Sequence, residues 1–305
     1  MNYGVVRAGT RTSRLATAQT NHVLETLTLL WPELRTIIEP YETRGDRALG
    51  ALQSLPGGKG LFTSALEDAL RAGNIDIAVH SLKDLPTEPA ADLVLGAILG
   101  RKSARDVLVA TEPWTIDSLP EGASIGTGSR RRAAQLLHYR RDLAITPLRG
   151  NVDTRIQKMT SGAVDAIVLA AAGLQRLGLD DRISSFLPLS VMLPAPGQGA
   201  LAVQCRADDD DMLSLLAPMD CPDIRSATTA ERIFLQALGG GCMTPVAAYA
   251  RRVDNGMLTM EALVATPDGR RVITAHGEGK DPCALGQALA NDALQQGAAE
   301  VLRHA

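Results

Sequence analysis

The sequence predicts an α/β protein. It has two similar α/β lobes with a central cleft, followed by a small C-terminal α+β domain with a three-stranded antiparallel sheet. Three observations carry this. Strand-like apolar runs alternate with helical stretches through the first two-thirds of the chain, the pattern of parallel-sheet architecture. Two parts of that alternation look alike: Gly9-Thr10 before a serine-led helix matches Gly126-Thr127 before Ser129, and Gly73-Asn74-Ile75-Asp76 matches Gly162-Ala163-Val164-Asp165. From Asp223 the pattern changes to one helix and three strand-like runs, with Asp254-Asn255-Gly256 and Pro267-Asp268-Gly269 as the turns between them. The expected divisions are residues 1–100 with 196–218, residues 101–195, and residues 219–305.

In chain order, residues 3–8 read as a strand ending at Gly9-Thr10-Arg11, and Ser13 caps a helix that runs to Leu30 with Ala16, Val23 and Leu27 on one face. A strand over Arg35 to Tyr41 precedes the glycine-rich loop Pro56-Gly57-Gly58-Lys59-Gly60 and a helix from Leu61 to Ala72, ended by Gly73. The strand Ile75–Val79 delivers His80-Ser81-Leu82-Lys83-Asp84 at its C-terminal end. The second lobe repeats the plan. It has a helix over Arg130 to His138, a strand at Leu143–Ile145, a helix carrying Arg155 and a buried strand over Gly162 to Val168. Leu201–Cys205 reads as a strand crossing back to the first lobe, and Asp208–Asp211 as a solvated loop. A helix from Asp223 to Leu238 leads to Gly239-Gly240-Gly241-Cys242-Met243-Thr244-Pro245. Strands follow at Val246–Arg252, Met257–Ala265 and Arg271–His276, and Pro282 opens a last helix to Arg303.

Composition narrows the function. The 305 residues are 45% hydrophobic and 21% charged with a net charge of −3, which argues against a general nucleic-acid binder. The four cysteines form no C-x-x-C, so no metal site is expected. No apolar signal or membrane-spanning run is present, and the expectation is a cytoplasmic protein with reduced thiols. There is no P-loop, and Gly126-Thr127-Gly128 has Arg131 where a dinucleotide fingerprint needs its third glycine.

The cations fall at strand ends and helix starts: Arg11, Lys59, Lys83, Arg130, Arg131, Arg132, Arg149, Arg155 and Arg176. Arginines at a helix N-terminus oppose the helix dipole, and an anionic ligand with several carboxylates or phosphates reconciles the arrangement. Any one of them is as well explained as a surface charge; the whole set is not. Ser13, Ser81, Thr127 and Ser129 lie in the same loops as caps or as donors to an anion. Asp84 is the lone acid of its stretch. It either pairs with a neighbouring cation or stabilises positive charge in the site. His80 has no identifiable triad partner and reads as structural. Three glycines before Cys242 and a proline after it suit a thiol at the tip of a loop, although a free cysteine is commonly a small buried hydrophobe.

Together these stretches resemble the hydroxymethylbilane synthase, or porphobilinogen deaminase, family. The resemblance rests on Gly9-Thr10-Arg11 with Ser13, Gly58-Lys59-Gly60, His80 to Asp84, Gly126-Thr127 with Ser129, Arg131-Arg132, Arg149-Gly150-Asn151, Pro196-Gly197-Gln198-Gly199 and Gly240-Gly241-Cys242, in order over nearly the whole chain. It implies two periplasmic-binding-protein-like lobes and a third domain carrying the cysteine. It implies a transferase that condenses four porphobilinogen units into a linear tetrapyrrole with loss of ammonia, on a dipyrromethane cofactor held by a thioether to Cys242. It implies Asp84 as the catalytic acid. Cofactor contacts would come from Lys83, Ser81, Thr127, Ser129, Arg131, Arg132, Arg155, Gln198 and Gly199. Substrate contacts would come from Arg11, Ser13, Arg149, Arg155, Arg176, Lys59 and Phe62. The expected partner is the small molecule alone, with no nucleic acid or membrane, and the chain acts as a monomer.

The chain departs from the family's pattern at Gly128, where a hydroxyl residue is usual, at Arg130, at Arg14, where proline is common, and at Gly239, where an acid is frequent. A second reading is a two-lobed polyanion-binding or sensor module without catalysis, in which the cysteine loop has no purpose. A third, a cysteine hydrolase, lacks an identifiable base.

Overall fold

The computed structural model describes residues 4–43, 63–88, 90–241 and 244–303. The first part of the chain runs β1 (Val5–Arg11), α1 (Arg14–Leu30), β2 (Arg35–Tyr41), α2 (Ser64–Arg71), β3 (Ile77–Ser81) and β4 (Leu93–Ile98). Next come β5 (Asp106–Ala110), β6 (Ser124–Gly126), α3 (Arg130–Tyr139), β7 (Ala144–Thr146), α4 (Val152–Thr160), β8 (Ala166–Ala170), α5 (Ala171–Leu177) and β9 (Ser185–Phe186). The last part holds β10 (Leu201–Arg206), α6 (Asp210–Leu216), α7 (Pro222–Ala237), β11 (Val246–Arg252), β12 (Leu258–Ala265), β13 (Val272–Gly279), α8 (Pro282–Gln295) and α9 (Ala298–Arg303). The chain divides into two compact units, Met1–Arg101 with Ala200–Arg225 and Lys102–Gly199 with Ser226–Ala305.

The first unit is built on one five-stranded sheet, in the order β2-β1-β3-β10-β4. β1 runs parallel to β2 and β3, while β10 is antiparallel to β3 and β4. Val6, Ala8, Ile77, Val79 and Val203 bury one face against Val23 and Leu27 of α1 and Met212 and Leu215 of α6. α1 starts where the Ser13 hydroxyl accepts the Ala16 N–H at 3.3 Å. It stops at Trp31, because the following Pro32 disfavours helical backbone at the residue before it.

The second unit has a sheet of matching plan, β7-β6-β8-β5-β9, with β6 parallel to β7 and β8 and β5 antiparallel to β8 and β9. The internal likeness seen in the sequence has a physical basis. Asp76 uses its backbone N–H on the Arg7 carbonyl (2.8 Å) and its carboxylate on the Arg7 N–H (2.8 Å). Asp165 does the same to Ser124 at 3.0 and 2.7 Å. Each aspartate therefore sets the strand that follows it against its parallel neighbour, β3 against β1 and β8 against β6. Gly9, within β1, and Gly126, at the end of β6, stand where a Cβ has no room: it would lie 2.4 Å from Ile75 Cδ1 in the first unit and 2.8 Å from Leu148 Cδ2 in the second.

The second unit also contains the antiparallel meander β11-β12-β13. One face packs Met260, Val264 and Ala275 against Phe234 of α7 and Leu285 and Leu289 of α8. On the other, Ala247, Leu263 and Ala265 meet Ala134 of α3 and Leu193. The β12–β13 turn touches α3 as well, where His138 Nδ1 lies 3.1 Å from the Gly269 carbonyl.

The fold class expected from the sequence is the one observed, with corrections of detail. The two lobe sheets are mixed, because each gains strands antiparallel to its parallel core; β4, β5 and β9 were not read from the sequence. The third and eighth strands begin two and four residues later than the expected 75 and 162, since Asp76 and Asp165 are the clamps before them. The run Asp208–Asp211 is not simply a solvated loop. Asp209 caps α6 through the Met212 N–H (3.1 Å) and pairs with Arg206 (2.7 Å), and Asp210 and Asp211 suit the positive end of that helix. The last helix is two helices, broken at Gly297 with φ 96°.

Candidate active site

In the first unit the site residues gather at the C-terminal ends of β1 and β3. Arg11 ends β1 and Ser13 caps α1. Ser81 ends β3 and accepts a hydrogen bond from Gln19 Nε2 at 2.8 Å. The chain then makes one tight turn, Leu82–Asp84. Leu82 and Leu85 sink into a cluster with Ile98, Ala200 and Ala202, and Lys83 and Asp84 between them stay half-buried. The Asp84 carboxylate makes no hydrogen bond or ion pair with any described residue. The salt bridge that the sequence allowed for it is therefore not formed among them. His80 is buried in the sheet, and burial holds its imidazole neutral by lowering its pKa to about 4, assisted by the nearby Arg11 charge and opposed by Gln204.

In the second unit the N-terminus of α3 is built from Thr127, Ser129 and the arginines. Thr127 Oγ1 accepts the Ser129 N–H at 3.2 Å, and Ser129 Oγ accepts the Arg132 N–H at 3.4 Å. Both hydroxyls serve as acceptors here, and their own O–H groups remain donors. Arg130 is exposed. Arg131 and Arg132 are buried on Asp106, which is itself 0% exposed. Arg131 Nη2 lies 2.7 Å from Asp106 Oδ2, and Arg132 Nη2 lies 2.7 Å from Oδ1. Arg131 also donates to the Leu193 carbonyl and Arg132 to that of Val168. Burial pulls the Arg131 guanidinium below the usual arginine value against the attraction of Asp106.

The remaining cations of this unit are differently placed. Arg155 Nε donates to the Gly150 carbonyl at 2.7 Å. The Arg149 guanidinium has no partner among the described residues. Arg176 donates one Nη2 bond to the Gly199 carbonyl (2.7 Å), while its buried Nε has no partner among the described residues. Desolvation lowers the Arg176 pKa to about 10. A largely buried guanidinium with an unused N–H and no carboxylate paired to it among the described residues suits a ligand carboxylate. That is the chemistry a dipyrromethane, with an acetate and a propionate on each ring, would bring. Cys242, Lys59 and Phe62 lie outside the described residues.

Two residues escaped the sequence reading. Asp106 opens the apolar run of β5 without any motif. Glu231 lies on the apolar stripe of α7 with Ala227, Ala230 and Phe234, and an acid on such a stripe is a signal that could have been used. Among the described residues no cluster of potential metal ligands occurs, and no helix is long and apolar enough to cross a membrane.

Comparison with known proteins adds a family. Residues 6–214 match the family model described as porphobilinogen deaminase, dipyromethane cofactor binding domain. Residues 226–295 match the model of the porphobilinogen deaminase C-terminal domain. The porphobilinogen deaminase of Brevibacillus brevis is 47% identical over 299 residues, covering 98% of this chain and 97% of that protein. That of a Roseiflexus species is 48% identical, covering 96% and 97%. Among solved structures, the BvgS periplasmic VFT2 domain of Bordetella pertussis aligns with 71% of this chain and 86% of its own, at 18% identity and a TM-score of 0.43. The sequence matches leave the reading of a non-catalytic sensor without support.

Proposed function

This chain belongs to the porphobilinogen deaminase family, and from that premise we propose how its own residues carry the family's reaction. The reaction is that of a transferase of tetrapyrrole biosynthesis. Four porphobilinogen units are joined into the linear hydroxymethylbilane, one ammonia leaving at each addition, with a dipyrromethane cofactor as primer. When bound, the cofactor supplies the nucleophilic pyrrole carbon from which the chain grows.

Cys242 is the proposed anchor, through a thioether. Fixing the primer makes each condensation effectively intramolecular. Asp84 is the proposed catalytic group. Loss of ammonia leaves positive charge on the substrate's pyrrole, and a carboxylate not already spent on a counter-ion stabilises that charge and accepts the ring N–H. The single observation that carries this role is the half-buried Asp84 carboxylate without a partner among the described residues. Arg149 and Arg176, with Arg11, Ser13, Arg155 and Lys59, take the acetates and propionates of substrate and growing chain, and Phe62 is an apolar substrate contact. Lys83, Ser81, Thr127, Ser129, Arg131, Arg132, Arg155, Gln198 and Gly199 hold the cofactor, with the spare O–H groups of Thr127 and Ser129 as donors.

The same proposal has the chain working in the cytoplasm as a monomer, without nucleic acid or membrane. It keeps the three-part division at residues 1–100 with 196–218, 101–195 and 219–305. Intact-mass measurement tests the core of it. The purified protein should exceed its chain mass by one dipyrromethane, and Cys242→Ala should lack the excess. A native, active enzyme at bare chain mass would rule the anchor out.

A further inference from the structure

The four residues Pro196–Gly199 join groups that the sequence keeps far apart. Gln198 Nε2 donates to Asp106 Oδ1 (2.9 Å) and to the Ala104 carbonyl (2.6 Å), so its side chain belongs to the buried cluster that fixes Arg131 and Arg132. The Gly199 carbonyl accepts from Arg176 Nη2 (2.7 Å) and the Lys102 N–H (3.2 Å). At its other end the loop is held by Glu231, which is 0% exposed. Glu231 Oε2 accepts the Gly197 N–H at 2.6 Å and Oε1 accepts the Ala250 N–H of β11 at 2.8 Å. A buried carboxylate bonded to two backbone N–H groups is a strong fixture, and replacing one oxygen leaves an N–H facing a donor.

We propose that Glu231 is a positioning residue for the reaction: by seating loop 196–199 between α7 and β11 it sets the guanidinium groups of Arg131, Arg132 and Arg176. The proposal rests on the reading that these arginines take ligand carboxylates. Glu231 touches no reacting atom; it acts through Gly197, and the effect spreads along the loop to Gln198 and Asp106 on one branch and to Arg176 on the other. A guanidinium displaced by a fraction of an ångström loses bidentate geometry before it loses charge, so weaker carboxylate binding is the expected defect.

The test uses the full-length, cofactor-loaded enzyme in four variants: Glu231→Gln, Gln198→Met, the double variant, and Arg176→Met as reference. Glu231→Gln should raise the porphobilinogen KM about tenfold or more while kcat falls by less than about threefold. The share of chains carrying the dipyrromethane mass should fall in parallel, because the same arginines meet its carboxylates. Gln198→Met should act in the same direction, and the double variant should be no worse than about the larger single effect, since both cut one strut. A lowered melting temperature with unchanged KM and unchanged mass occupancy would make Glu231 merely structural and overturn the proposal, as would fully additive effects. Should Glu231→Gln not accumulate as folded protein, an unchanged KM in Gln198→Met overturns it. An unchanged KM in Arg176→Met overturns the underlying reading of that arginine instead, and is seen separately.

Discussion

Asp84 and His80 lie four residues apart on one strand end and have opposite characters. Asp84 is half-buried with no ion pair among the described residues, whereas His80 is buried and neutral. Replacing Asp84 by asparagine keeps the shape and removes the charge. The variant should keep the dipyrromethane mass and lose turnover by at least about a hundredfold, read as kcat in a steady-state assay. The His80 value predicts a pH dependence of stability. Its folded pKa of about 4 lies below the value near 6.5 of the unfolded chain. The unfolded chain therefore takes the proton first, and the contribution of the neutral ring is full above pH 6.5 and is lost as pH falls towards 4. The loss is on the order of 3 kcal/mol, and His80→Gln should remove that component from urea-unfolding curves recorded across the same window.

At the scale of elements, one contact ties the meander to the helix that carries the arginines. Gly269, at φ +66°, lies against α3 so closely that a Cβ would stand 2.3 Å from the Ala134 carbonyl oxygen. Gly269→Ala should cost about 2 to 4 kcal/mol, measured as a lowered urea midpoint with unchanged m-value. What could be read from the sequence follows from how local each device is. The Ser13 and Ser129 caps and the strand-end positions of Arg11 and Lys83 are written within a few neighbouring residues, and so was the hairpin around Gly269. Asp106 and Glu231 are harder to read, because their partners lie 19 or more residues away and the only local sign of either is the place of Glu231 on an apolar helical stripe. Arg131 and Arg132 were legible as important cations, but their enclosure by Asp106 depends on the pairing of β5 with β8, a register that only tertiary contact decides. The mixed character of the sheets was missed for the same reason: strand direction is not a property of a strand's own residues.

At the scale of the molecule, the first unit is discontinuous. β10 lies between β3 and β4, and without it those strands have no common neighbour. A polypeptide of residues 1–101 alone should therefore lack cooperative unfolding and native far-UV dichroism. Adding a peptide of residues 200–225, which supplies β10 and α6, should restore both. A cooperatively folded 1–101 fragment would contradict this account of the sheet.

The interruption has a consequence during synthesis. The ribosome finishes β4 and must then translate about a hundred more residues before β10 emerges, an interval of roughly 5–20 s at ordinary elongation rates. For that time β3 and β4 present unpaired backbone edges to solvent, and the nascent chain depends on holding chaperones more than a protein with contiguous sheets would. Slowed translation between codons 100 and 200 would lengthen the exposure, and the yield of active enzyme would fall with no change in the amino-acid sequence.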